Sequence, residues 1–169
     1  LMNLENKGYG KNITLQVLDG ILCHNGELEL QEYRPKKKTK ETFLEEYERT
    51  YTEKGFVKTL VPMTLEGCVV RISDIIAYLG KDIEDARILG IIKEEDIPIN
   101  IRQILGVKNR EIVNTIIMDL IHNSFGKPYL KLSDDVFEAI KELKKFNYVN
   151  IYDKSLTEEE KNEITHRYE

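Results

Sequence analysis

The stretch from Pro62 to Gly90 constrains the fold of this chain more than any other part of it. Pro62–Met63–Thr64 opens the stretch, Gly90 closes it, and apolar residues recur between them at helical spacing. Thr64 is a fair N-cap, with Glu66 favourable beside the free N–H groups of the first turn. The pattern predicts one helix running to about Ile88, with Val69, Ile72, Ile76, Leu79 and Ile83 on its core side. With Asp74 as origin and about 100° per residue, Tyr78 falls at about +40°, Asp82 at about +80° and Asp85 at about +20°. Arg71, one turn earlier, falls at about +60°, so these five residues share a polar stripe. That stripe is either a solvated outer face or one wall of a pocket. Val70, Ile75 and Ala77 flank it with apolar groups, which predicts a helix buried around much of its circumference. Carboxylates in such a place need a cation: a metal, Arg71 or Lys81.

The remaining segments also read as helices. Asn12 is placed to cap a helix with an apolar face of Ile13, Leu15, Val17, Leu18, Ile21 and Leu22, stopped by Asn25–Gly26. Residues 27–61 read as a mobile insertion: Tyr33–Arg34–Pro35 breaks any helix, and Lys36–Lys38 is a charge run on a solvated loop or near a phosphate. Within it, Thr39 or Thr42 could cap a short helix, Phe43–Tyr51. Ile99–Leu105 is a short helix, and Asn109–Asn123 a longer one, apolar at Ile112, Ile116, Ile117, Leu120 and Ile121. Ser133 caps a helix whose face is Val136, Ile140, Leu143 and Phe146, and Thr157 with Glu160 forms a capping box for a last, charged helix. No strand alternation is convincing. The expected fold class is all-α, with residues 1–169 one helical domain.

Length and composition bound the function. A chain of 169 residues can bury a core, and its 33% charged residues suit a soluble protein. Net charge of −5 argues against a nucleic-acid coat, so nucleic acid is not indicated. No run approaches the roughly 18 apolar residues of a membrane helix, and no signal peptide is visible, so a cytoplasmic location is expected. Cys23 and Cys68 lie in apolar patterns with no zinc spacing and read as small buried hydrophobes. Asp74 could ligate either a hard divalent ion or a transition metal. The three histidines, His24, His122 and His166, form no His–Asp dipeptide and lie far from one another in sequence.

The run from Thr64 to Ala86, TLEGCVVRISDIIAYLGKDIEDA, resembles the segment TLEGxVVRxxDxIAYxxHDIxDA of bacterial dGTP triphosphohydrolases and their HD-domain relatives. Leu18–Gly26, LDGILCHNG, is similar to a GIL-His-x-Gly stretch of the same proteins, and Asn109–Asn123 and Leu132–Tyr152 look like their C-terminal helices. The resemblance implies an HD-domain-like helical bundle and, in the full-length protein, hydrolysis of a deoxynucleoside triphosphate to deoxynucleoside and triphosphate. It implies a divalent metal (Mg, Mn or a transition metal) held by a His, a His-Asp pair and a distant Asp, the last matched by Asp74. Tyr78 matches a tyrosine that packs on the deoxyribose, and Asp82 an aspartate that reads the sugar 3′-hydroxyl. Arg110 resembles an arginine near the phosphates, with a surface helix arginine as its other reading. His24 either faces the site or is a capping or core histidine. Ile75 and Lys81 depart from the family pattern, which usually has a polar residue and a histidine there.

The remaining ligands lie upstream in the family, and the sequence opens in mid-pattern at Leu1. The expectation is therefore a fragment that supplies one wall of the site, is inactive alone, holds metal at Asp74 weakly or not at all, and belongs to a homo-oligomer when full-length. Two other readings stay open: an HD phosphohydrolase acting on another nucleotide, and a non-catalytic helical regulatory or oligomerisation domain.

Overall fold

The computed structural model describes residues 6–24 and 30–152. They form an all-α structure with six α-helices and one small two-stranded sheet. None of the described helices is long and apolar enough to cross a membrane. The chain divides into two compact units: Leu1–Asp74 with Pro128–Leu130, and Ile75–Lys127 with Lys131–Glu169.

In the first unit, α1 (Leu15–Cys23) is capped by Thr14, whose Oγ1 accepts the Val17 N–H at 3.4 Å, and not by Asn12 as the sequence predicts. Its buried residues are Asp19 and Cys23, while Val17 and Ile21 are 50% and 44% exposed. Of the predicted apolar face, Ile13, Leu15, Leu18 and Leu22 are half-buried, and the fully buried positions are Asp19 and Cys23. The cause is ionic: Asp19 Oδ1 binds Lys38 Nζ at 2.7 Å, and Asp19 Oδ2 accepts the Met63 N–H at 2.6 Å. Lys38 also meets Glu46 Oε2 at 2.6 Å, and its side chain has no exposed surface. The Lys36–Lys38 run is therefore not a solvated loop at Lys38, because two carboxylates compensate the buried ammonium.

The segment expected as an insertion holds strand β1 (Glu32–Tyr33) and α2 (Lys40–Thr52), capped by Thr39, whose Oγ1 accepts the Thr42 N–H at 3.2 Å. It contributes Tyr33, Phe43 and Leu60 to the buried residues. Arg34 lies 4.6 Å over the ring of Tyr129 as Pro128–Leu130 returns to this unit. Leu130 opens strand β2 (Leu130–Lys131), the partner of β1. Two-residue strands are too short to show alternation, so nothing in the residue pattern marks the pair.

The helix predicted from Thr64 forms as α3 (Leu65–Ile88), with Thr64 Oγ1 accepting the Gly67 N–H at 3.1 Å. Its first half lies against α1 at glycines: a Cβ on Gly67 would stand 3.7 Å from the Gly20 Cα. Past its end, Gly90 takes a φ of 71°, the left-handed conformation that stops a helix.

In the second unit, α3 is joined by α4 (Ile99–Ile104), α5 (Asn109–Ser124) and α6 (Asp134–Asn147). Their inner faces bury Ile76, Leu79, Ile83, Ile101, Ile112, Ile116, Ala139, Ile140 and Leu143. Of the face predicted for α5, Ile117 and Ile121 are instead exposed. At Gly80, α3 comes so near α5 that a Cβ would stand 3.2 Å from the Asn109 Cα. Asp119 of α5 accepts the Ser133 N–H at 2.9 Å and so sets where α6 begins. The end of α6 is tied to α3 by Asn147, which donates to the Leu79 carbonyl at 3.3 Å. A π-helical turn, Tyr148–Tyr152, follows. The Asn25–Gly26 stop and the Thr157–Glu160 capping box lie outside the described residues.

Candidate functional site

Helix α3 carries three of the candidate residues on one continuous backbone. At i, i+4 and i+8, Asp74, Tyr78 and Asp82 advance about 40° per step, so they form a gently winding row. Asp74 and Asp82 are half-buried, and Tyr78 is 64% exposed.

Two expectations about this helix change. Arg71 is not part of the outward stripe: it is 2% exposed, and its guanidinium donates to the Leu60 carbonyl. Nor is the helix buried around most of its circumference. Val69, expected on the core side, is 44% exposed, and Val70 and Ala77 are exposed as well. The buried arc runs instead through Cys68, Arg71, Ile72, Ile76, Leu79, Ile83 and Ala86.

The proposed cations are also spent elsewhere. Lys81 lies 2.8 Å from Asp85 and 3.6 Å from Glu84, an exposed network on the outer turn. Asp74 makes no hydrogen bond or ion pair with a described residue, which leaves its oxygens open to a ligand. Among the described residues no group of three or more His, Cys, Asp or Glu side chains is placed to hold a metal ion.

Asp82 has a partner that sequence reasoning missed. Tyr152 donates its hydroxyl to Asp82 Oδ2 at 2.7 Å. Partial burial and then the hydrogen bond and negative charge of Asp82 push the phenol up to about 12. No local pattern links the two residues, which stand 70 positions apart.

The other two candidates lie in separate places. His24 follows the end of α1, exposed, with Nδ1 2.6 Å from the Ile21 carbonyl oxygen, as a capping histidine would be. It borders an apolar groove of about 590 Å³ in the first unit, together with Val17, Gly20, Ile21, Gly67 and Val70. Arg110 is exposed in the first turn of α5 and borders an open cavity of the second unit with Glu84, Lys108, Asn109 and Val113. Neither cavity includes Asp74, Tyr78 or Asp82.

This all-α chain is similar in sequence to members of a hydrolase family. That family is the deoxyguanosinetriphosphate triphosphohydrolase-like proteins. One such protein, from Clostridium perfringens strain SM101, is 36% identical over 154 residues, covering 88% of this chain and 37% of the relative. Another, from Caldanaerobacter subterraneus subsp. tengcongensis, is 35% identical over 160 residues, covering 94% of this chain and 38% of the relative. A third, from Clostridium tetani, is 31% identical over 166 residues, covering 95% and 40%. The chain thus spans somewhat over a third of the length of the curated relatives it matches. No family model matches it, and no solved structure does.

Proposed function

We propose that the whole protein hydrolyses a deoxynucleoside triphosphate to deoxynucleoside and inorganic triphosphate, and that this chain supplies the sugar-facing wall of its site. The observation that carries the reading is the row on α3: Asp74 unengaged by any described residue, with Tyr78 and Asp82 following at one-turn intervals. The kinship with triphosphohydrolase-like proteins supports the substrate class.

Each residue has a role that follows from its chemistry. Tyr78 presents an exposed ring, suited to apolar contact with a deoxyribose. Asp82 offers a carboxylate oxygen to a sugar hydroxyl, a charge-assisted hydrogen bond that also sets the register of the nucleotide. Arg110 is a candidate for the phosphates, as a planar, permanently charged donor. His24 is a weaker candidate, since its ring nitrogen is already engaged with Ile21.

Asp74 is a suitable oxygen ligand for a divalent cation. A single carboxylate does not make a metal site, and the described residues do not complete one. Asp74 is therefore proposed as one ligand among several, and no chemical step is assigned to the metal. A homo-oligomer is proposed for the whole protein. The test is Asp74→Ala in the full-length product of the gene, with release of inorganic triphosphate from each of the four dNTPs measured with divalent metal present. Loss of activity is expected, and retained activity overturns the reading.

A further inference from the structure

Asp82 lies on α3, and the residue that reaches it lies at the far end of the second unit. Beyond α6 the backbone tightens into no ordinary α-turn but widens into the π-helical turn Tyr148–Tyr152. π-Helical turns are rare and frequently fall at functional sites. The turn is anchored at its start, where Asn147 donates to the Leu79 carbonyl, and at its end, where Tyr152 donates to Asp82 Oδ2 at 2.7 Å. Leu79 and Asp82 are three residues apart, so both anchors fall within one turn of α3.

The hydrogen bond acts on the carboxylate. A half-exposed aspartate turns readily about its last torsion, which leaves its two oxygens interchangeable. Fixing one of them removes that freedom. Oδ2 is held by Tyr152, while Oδ1 has no partner among the described residues. The phenol is pushed up to about 12, so it remains a donor throughout the physiological range.

We propose that Tyr152 is a positioning residue for Asp82: by holding Oδ2 it fixes the plane of the carboxylate and leaves Oδ1 to accept the 3′-hydroxyl of a deoxynucleotide. This rests on the reading of Asp82 given above. It makes the π-helical turn after α6 a part of the substrate site, at a residue that touches another side chain and not the reacting atoms.

The experiment compares Tyr152→Phe with the wild type in the full-length gene product. KM and kcat are measured for the deoxynucleoside triphosphate hydrolysed fastest and for its 2′,3′-dideoxy analogue. KM for the natural substrate rises about tenfold, the scale of one charge-assisted hydrogen bond, with kcat within about twofold. For the dideoxy analogue, which has no 3′-hydroxyl, wild type and variant have the same KM. An unchanged KM, or an equal penalty on both substrates, overturns the proposal. NMR of the protein labelled at tyrosine Cζ checks the contact itself: one phenol titrates near 12, is absent in Tyr152→Phe and moves toward its ordinary value in Asp82→Asn. If no phenol behaves so, the proposal is overturned. Asp82→Ala separates the two readings. An inactive wild type, or full activity in Asp82→Ala, sinks the parent reading of the site. Impaired Asp82→Ala beside an unaffected Tyr152→Phe sinks only the role of Tyr152.

Discussion

Asp19 is a carboxylate with no access to water, held by Lys38 and the Met63 N–H in the first unit. Removing one partner of such a cluster leaves the rest desolvated and uncompensated, which costs about 3–5 kcal/mol. Glu46 still pairs with Lys38 in Asp19→Ala, so the loss expected in denaturant unfolding is at the lower end, about 3 kcal/mol. A loss under about 1 kcal/mol would show the cluster to be dispensable. This is also the scale at which the sequence misled. Hydropathy assigns Val17 and Ile21 to the interior and Lys38 to water, and the structure reverses both. The pairing that decides it joins residues 19, 38, 46 and 63, and no local window holds all four. Tyr152 was invisible for the same reason.

Helices were more legible, because their determinants are local. Thr39 and Thr64 cap the helices they were expected to cap, and α3 ends just before its glycine. The start of α5 shows the physics of such an end. Glu111 accepts the N–H groups of Val107 at 3.1 Å and Lys108 at 3.2 Å, and these bonds hold its carboxyl below the usual 4.5. A lowered folded value means that the stabilisation is fully present above about pH 4.5 and is lost as pH falls through the lowered value. Glu111→Gln is expected to lower the urea midpoint at pH 7, with the gap from wild type closing in acid. A gap constant across pH would show that the charge plays no part. What remained illegible in the helices was rotation. Periodicity found the apolar arc of α6 correctly, yet on α3 it placed Val69 inside and Arg71 outside. Arg71 enters the core because the Leu60 carbonyl waits there, and periodicity does not register such a partner.

At the scale of the whole chain, both cysteines lie in the first unit, buried, Cys23 at 1% and Cys68 at 0% exposure. Burial, then the charge of Asp19, pushes the Cys23 thiol up to about 12, and burial pushes Cys68 up to about 11. The thiolate is the reactive form, so both should be silent to a disulfide reagent at pH 8 in the native state. They should react together as denaturant unfolds the first unit. Rapid reaction before any loss of helix would contradict the packing around α1 and α3. The all-α architecture was legible throughout, as was the likeness to the triphosphohydrolase-like proteins. The division into two units was not, since α3 runs without a break from one into the other and its sequence marks no boundary at Asp74.

The groove beside α1 has a practical side. Val17, Ile21 and Val70 line it with about half of their surface in contact with water. Sulfate and similar salts are excluded from protein surfaces and make wetting such a strip more costly. For anyone purifying the chain, these three residues would add to its retention on a phenyl resin in high sulfate.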